Sequence, residues 1–259
     1  MDKPRCLIVR TAGTNCDMEL AYAFELAGAT TQKLHINELI ADPCVIESFD
    51  LIGFPGGFSY GDDIAAGRIF ANRLRHKLMD HLLSAADKGV PMIGICNGFQ
   101  VMTKLGLLPD PHAGKQTATL ADNNTGRFTT RWGKMAVPQN TVCVWTKGLN
   151  EMELPIAHAE GRFVPESDEA LARWKDNGQI ALEYAAGDNP NGSTANIAGV
   201  CDPSGLILGL MPHPERWINL TNHPQWQRQS ADWKAQTPTG LKMFQNAVNH
   251  VLTSTPASV

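Results

Sequence analysis

The chain has 259 residues, of which 43% are hydrophobic and 19% charged, and a formal net charge of −4. This composition can fill a substantial apolar core. It excludes a nucleic-acid binder, because no basic run offers a polyanion surface, and a membrane-spanning helix, because no stretch of about 18 apolar residues occurs.

Met1-Asp2-Lys3-Pro4-Arg5 leads straight into Cys6–Val9, which is too short for the apolar part of a leader and has no small-residue cleavage site after it. A cytoplasmic location is the expectation. Leu7–Val9 reads as a strand, and Glu19–Leu26 as a helix ended by Gly28. Asp50–Phe54 is a further strand, stopped by Pro55-Gly56-Gly57. A long helical stretch runs from about Gly67 to Ala86 and leads into the strand Val90–Ile95. Asn97–Leu105 is helical again, with Phe99, Met102 and Leu105 at helical spacing. Short β-rich runs alternating with helices predict an α/β fold, a parallel sheet covered by helices.

The second half is less regular. Arg127–Trp132 and Thr141–Trp145 read as antiparallel strands. The loop Gly187–Ser193 precedes an apolar run at Ala195–Val200, Gly205–Leu210 is a short strand, and Leu241–Leu252 is a closing helix. Trp217–Pro238 holds Trp217, Trp226 and Trp233 among polar residues and has no readable period. Its tryptophans read first as core, although aromatic enrichment at interfaces makes the segment a candidate contact face. No repeat or linker divides the chain, so one domain over residues 1–259 is expected.

Six cysteines, at 6, 16, 44, 96, 143 and 201, form no CxxC pair and match no zinc spacing, so no metal site is expected. Most read as buried apolar residues. Cys96 differs, because Gly94-Ile95-Cys96-Asn97-Gly98 sits where an apolar strand gives way to a helix. This is the cysteine counterpart of a nucleophile elbow. The sharp turn strains the backbone at the nucleophile, and side chains at either flanking glycine would strike neighbouring backbone. The helix N-terminus favours an anionic sulfur, and the Asn97 amide can act as an oxyanion donor. An isolated GxCxG serves equally well as a tight turn around a core cysteine. Its place at a strand's carboxyl end, where open α/β sheets hold ligands, favours the nucleophile.

A thiol nucleophile needs a base and a group that orients the base. His213 and Glu215 follow a strand, and an extended chain through Pro212 and Pro214 would put both side chains on one face. Prolines on both sides disfavour helix there. A bare HxE is more often a loop histidine beside a surface acid; the elbow reverses that preference. Pro55-Gly56-Gly57 at a strand end lets backbone amides approach a ligand, though alone it is an ordinary turn.

Together these segments resemble the class I (triad) glutamine amidotransferases. Within them they are most similar to the glutaminase subunits of phosphoribosylformylglycinamidine synthase. The matching pieces are Gly13-Thr14-Asn15-Cys16-Asp17, Phe54 through Asp63, Gly94 through Gln100, Ile156 through Phe163, Asn189 through Ser193, and Gly209 through Arg216. Ala159 stands where that family carries glycine. The resemblance implies an open, mostly parallel, doubly wound flavodoxin-like sheet with helices on both faces and added antiparallel strands. It implies Cys96 as nucleophile, His213 as base then acid, and Glu215 as its orienting partner. The oxyanion hole would be the amides of Gly57 and Asn97, and Gln100, His158, Glu160 and Gly161 would hold glutamine.

The implied chain carries no cofactor of its own. It passes ammonia to a large synthetase subunit that binds ATP and Mg, with a small accessory subunit as a further partner. The absence of a GxxxxGK[ST] phosphate loop agrees with that division.

Three other readings compete. A glutaminase serving another synthetase would share the elbow and triad but not the GFSYGDD, AHAEGRF and NPNGS segments. A related cysteine hydrolase would carry histidine where Asn97 stands. A non-catalytic subunit would have lost a triad member, and all three are present. Asp62-Asp63 reads as a helix start rather than a metal site. The sequons at Asn123, Asn191 and Asn219 should stay unmodified without a secretory signal.

Overall fold

The strands are β1 (Arg5–Arg10), β2 (Thr30–His35), β3 (Leu51–Phe54), β4 (Met92–Ile95), β5 (Ala118–Ala121), β6 (Thr129–Ala136), β7 (Glu151–His158), β8 (Arg162–Pro165), β9 (Ile180–Tyr184), β10 (Ile197–Cys201) and β11 (Ile207–Leu210). They belong to a computed structural model that describes residues 3–254. Met1 and Asp2, within the opening run read above, and residues 255–259, at the end of the expected single domain, lie outside the described residues.

Nine strands make one sheet, in the order β2-β1-β3-β4-β11-β10-β9-β6-β7; β5 and β8 form a separate pair. The first five are mutually parallel, and the rest of the nine pair antiparallel. With β11 counted fifth, the parallel half has the flavodoxin-like order 2-1-3-4-5. β3, β4 and β11 are buried along their whole length, which explains why they appear in the sequence as unbroken apolar runs.

The helices are α1 (Asp17–Leu26), α2 (Ile36–Ala41), α3 (Arg68–Lys77), α4 (Met79–Asp87), α5 (Asn97–Leu105), α6 (Asp168–Asp176), α7 (Ala231–Lys234) and α8 (Thr239–Ser254). The long helix expected over Gly67–Ala86 is two, because Leu78 leaves the helical region at φ −133° and ψ −1°. Thr141–Trp145 is not a strand. Its odd residues Cys143 and Trp145 are buried, but Val142 and Val144 donate their amides to the Gly178 and Gly205 carbonyls rather than to a ladder. The antiparallel partners of β6 are instead β9 and β7, and burial alternates strictly along β7.

The segment after residue 216 folds as short 3-10 turns and α7. Trp217 stacks on Trp233 at 6.1 Å, and Trp132 and His223 close the cluster. An aromatic knot packed against β6 therefore replaces periodic structure there.

Candidate active site

Register alone brings the two halves of the site together. In the parallel pairing of β4 with β11, Ile95 lies opposite Leu210. Cys96 is therefore one residue past its strand end, and His213 three past the neighbouring one. On the other side Phe54 pairs with Gly94, so Pro55-Gly56-Gly57 emerges beside the same turn. All three segments leave the carboxyl edge of the sheet.

Cys96 is the N-cap of α5 and has φ 52° and ψ −106°, the strained left-handed conformation expected of an elbow. The flanking glycines are sterically required. A Cβ on Gly94 would stand 2.8 Å from the Gly98 carbonyl, and one on Gly98 would collide with the Phe54 carbonyl, whose carbon lies at 2.7 Å. The Cys96 sulfur faces the Ala157 carbonyl at 3.5 Å, at the end of β7.

His213 Nδ1 meets Glu215 Oε1 at 2.6 Å, with both side chains buried. The expected extended chain is absent here. Pro214–Arg216 forms a 3-10 turn in which Pro214 takes the first position, and the turn delivers the carboxylate to the ring. The His213 amide donates to the Pro155 carbonyl at 2.8 Å, anchoring the turn to β7. Burial alone would depress the imidazole. The Glu215 carboxylate, joined by the Cys16 and Cys96 sulfurs, outweighs burial and holds His213 well above its ordinary value.

Gly57 has φ 146°, and a Cβ there would lie 2.7 Å from the Gly13 carbonyl oxygen. Glycine is the residue that fits. Asn97 ties this loop to α5: its Oδ1 accepts from the Ser59 amide at 3.2 Å, and its Nδ2 donates to Asp62 Oδ1 and Gln100 Oε1. Asp62 also accepts from the amide of Gly67, the N-cap of α3 five residues on, so it organises the loop ahead of that helix.

Gln100, His158, Glu160 and Gly161 are brought together. Gln100 Nε2 donates to the Glu160 carbonyl at 2.6 Å, and the Glu160 carboxylate accepts from the Ala66 amide. The Gly161 amide donates to Asn123 Oδ1, which also meets His158 Nδ1 at 3.1 Å. His158 Nε2 is buried and has no partner. Ala159, in place of the family's glycine, is not among the residues of positive φ, so its Cβ is accommodated.

Burial first, then the neighbouring His213 charge, push the His158 imidazole down to about 4. The unfolded chain takes up this proton near pH 6.5, whereas the folded chain resists until about pH 4. The stability contribution is therefore complete above 6.5 and is lost as pH falls through that window, about 3 kcal/mol in all. Urea unfolding at pH 7 and pH 5 should show wild type losing about 2 kcal/mol more than His158→Gln between the two. Equal losses would remove His158 as the acid-sensitive group.

Several functional neighbours were not legible in sequence. Asn123 appears in the sequence only as a sequon residue, and Asn191 as a sequon residue within the family-matching Asn189–Ser193 segment, neither with a role assigned. Both are buried, and their amides hold the His158–Gly161 loop: Asn123 Nδ2 donates to the His158 carbonyl and Asn191 Nδ2 to the Gly161 carbonyl. Cys16, taken as a plain core cysteine, lies beside the His213 ring, with its sulfur 3.1 Å from Arg216 Nη2. One donor atom each from Cys16, His213 and Glu215 fall within 4.8 Å of one another, a grouping no spacing rule could find across 200 residues.

Residues 3–251 match the CobB/CobQ-like glutamine amidotransferase domain. The phosphoribosylformylglycinamidine synthase subunit PurQ of Dehalococcoides mccartyi is 44% identical over 254 residues, covering 96% of this chain and 98% of the relative. The same subunit of Methanococcus maripaludis is 40% identical over 267 residues, covering 95% and 97%. Among solved structures, PurLQS from Thermotoga maritima superposes with a TM-score of 0.74 at 30% identity, covering 96% of this chain and all of that one. No helix among the described residues is long and apolar enough to cross a membrane. A putative GMP synthase subunit from Thermoplasma acidophilum, at 14% identity and TM-score 0.61, shares the fold. The chain belongs to the CobB/CobQ-like glutamine amidotransferases and, within them, to the PurQ subunits of phosphoribosylformylglycinamidine synthase.

Proposed function

We propose that the chain is the glutaminase subunit of phosphoribosylformylglycinamidine synthase, acting in the cytoplasm as one catalytic unit in purine biosynthesis. It hydrolyses glutamine to glutamate and ammonia. The ammonia goes to a large synthetase subunit that binds ATP and Mg and converts formylglycinamide ribonucleotide to formylglycinamidine ribonucleotide, with a small accessory subunit as a further partner. The observation that carries this reading is the buried His213–Glu215 pair at 2.6 Å, held one strand away from the Cys96 elbow.

The reaction follows from that arrangement. His213 Nε2 is buried and free of other partners, so it can take the Cys96 proton while Glu215 holds Nδ1 and stabilises the imidazolium. The sulfur attacks the side-chain amide carbon of glutamine, and the carbonyl oxygen becomes an oxyanion facing the Gly57 and Asn97 amides. His213 then gives its proton to the departing nitrogen, which leaves as ammonia, and a γ-glutamyl thioester remains on Cys96. Water, deprotonated by the same imidazole, attacks the thioester and releases glutamate and the thiol.

Gln100 and the His158–Gly161 loop, which follows the Ala157 carbonyl facing this sulfur, act as the glutamine pocket. Their internal bonds fix the pocket before substrate arrives, which lowers the ordering cost of binding.

Reconstitution tests the assignment. The chain mixed with a PurL-type synthetase subunit, any accessory subunit, ATP, Mg and formylglycinamide ribonucleotide should form the amidine from glutamine. Omitting the chain should leave only ammonia-dependent synthesis. A complete mixture that uses ammonia but not glutamine would refute it.

A further inference from the structure

Cys16 is a buried thiol that the reaction above leaves unused. Its sulfur contacts Asn15 Oδ1 at 3.2 Å and Arg216 Nη2 at 3.1 Å, and it faces the His213 ring. A Cβ built on Gly56 would stand 3.2 Å from this sulfur and 3.0 Å from His213 Cε1, so the bare glycine leaves room for the two to meet. The donor atoms of Cys16, His213 and Glu215 fall within 4.8 Å of one another, and all three residues are buried. One further atom points to a ligand: Glu215 Oε2 is fully enclosed and has no protein partner.

One sulfur, one imidazole and one carboxylate form a donor set for zinc-class cations, which take three protein ligands and keep a fourth position open. Magnesium and calcium, which require oxygen donors, do not suit it. Arg216, in direct contact with the sulfur, opposes a cation there, and it is paired with Glu19 at 3.1 Å. A cation would replace the Arg216 bond to sulfur, and both the thiol proton and the imidazolium proton would leave to solvent.

We propose that Cys16, His213 and Glu215 form an inhibitory site for a thiophilic divalent cation of the zinc class. Bound there, the cation takes the imidazole lone pair and the orienting carboxylate, and Cys96 loses its proton acceptor. The inhibitory effect rests on the glutaminase reading; cation binding does not.

The test uses the full chain with Cys44, the exposed cysteine, and Cys96 both changed to serine, so that Cys16 is the thiol left at the ring. Co²⁺, titrated as a spectroscopic stand-in for zinc, should give a thiolate-to-cobalt absorption band that disappears when Cys16→Ser is added. In the otherwise native chain, Cys16→Ser or Cys16→Ala should raise the Zn²⁺ concentration for half-inhibition of glutamine hydrolysis at least tenfold. No cobalt band in the Cys44→Ser/Cys96→Ser chain would overturn the proposal, and so would zinc sensitivity unchanged within twofold in a folded Cys16 variant. Should both Cys16 variants fail to fold, the cobalt spectrum of the Cys44→Ser/Cys96→Ser chain decides alone. A chain that shows the band but never hydrolyses glutamine keeps the site and loses the glutaminase reading.

Discussion

Cys96→Ala should abolish glutamine-dependent amidine formation, by about 10⁴-fold or more, while the complex keeps its ammonia-dependent rate. The size of the loss follows from the chemistry: without the sulfur no thioester forms, and no other nucleophile stands at the elbow. Ammonia-dependent synthesis is untouched because the synthetase needs only free ammonia. The alanine fits sterically, since the strained φ of 52° is set by the turn and its flanking glycines. The check is a paired assay with glutamine and with ammonium salt as nitrogen donor. Loss of both rates with the fold intact would mean that Cys96 serves the complex in some other way.

Gly98→Ala should damage both stability and activity although it lies outside the triad. Its Cβ would meet the Phe54 carbonyl, with the carbonyl carbon at 2.7 Å and the Phe54 Cβ at 3.0 Å. Backbone lies on both sides of this clash, so α5 must move off β3, and Cys96 moves with it. Overpacking of this kind costs about 3 kcal/mol, and a displaced nucleophile costs about 100-fold in rate. Gly148→Ala is the control. Gly148 has φ 73° with nothing within 4 Å, so it carries only the left-handed penalty of about 1–2 kcal/mol, far from the sulfur. Thermal unfolding and glutamine hydrolysis measured on both variants separate the two effects. If Gly98→Ala were no worse than Gly148→Ala in both measurements, the close approach of α5 to β3 would be refuted.

What the sequence revealed follows from how locally each feature is determined. The parallel strands lie buried on both faces, so they appear as plain apolar runs, and the elbow glycines are dictated by a turn five residues long. β7 was missed because its alternating pattern is carried by Glu151, Glu153 and Pro155 on the partly exposed side, which hides a strand among acids and a proline. α6 was not read from the sequence, although its start is fixed locally, the Ser167 hydroxyl accepting from the Ala170 amide. Asn123, Asn191 and Cys16 could not be read as functional. Each takes its meaning from partners about 30 to 200 residues away, and polarity alone does not foretell which loop an amide will hold. His213 and Glu215 were legible as a pair, yet by the wrong local geometry: a proline-initiated turn, rather than an extended chain, joins them.

The central claim is that one sulfur, beside one histidine, performs the attack. Two thiols face the His213 ring, so a glutamine-like diazoketone discriminates between them. Mass spectrometry of the treated protein should find a single adduct, on the peptide bearing Cys96, together with loss of glutamine hydrolysis. An adduct on Cys16, with Cys96 unmodified, would contradict the account.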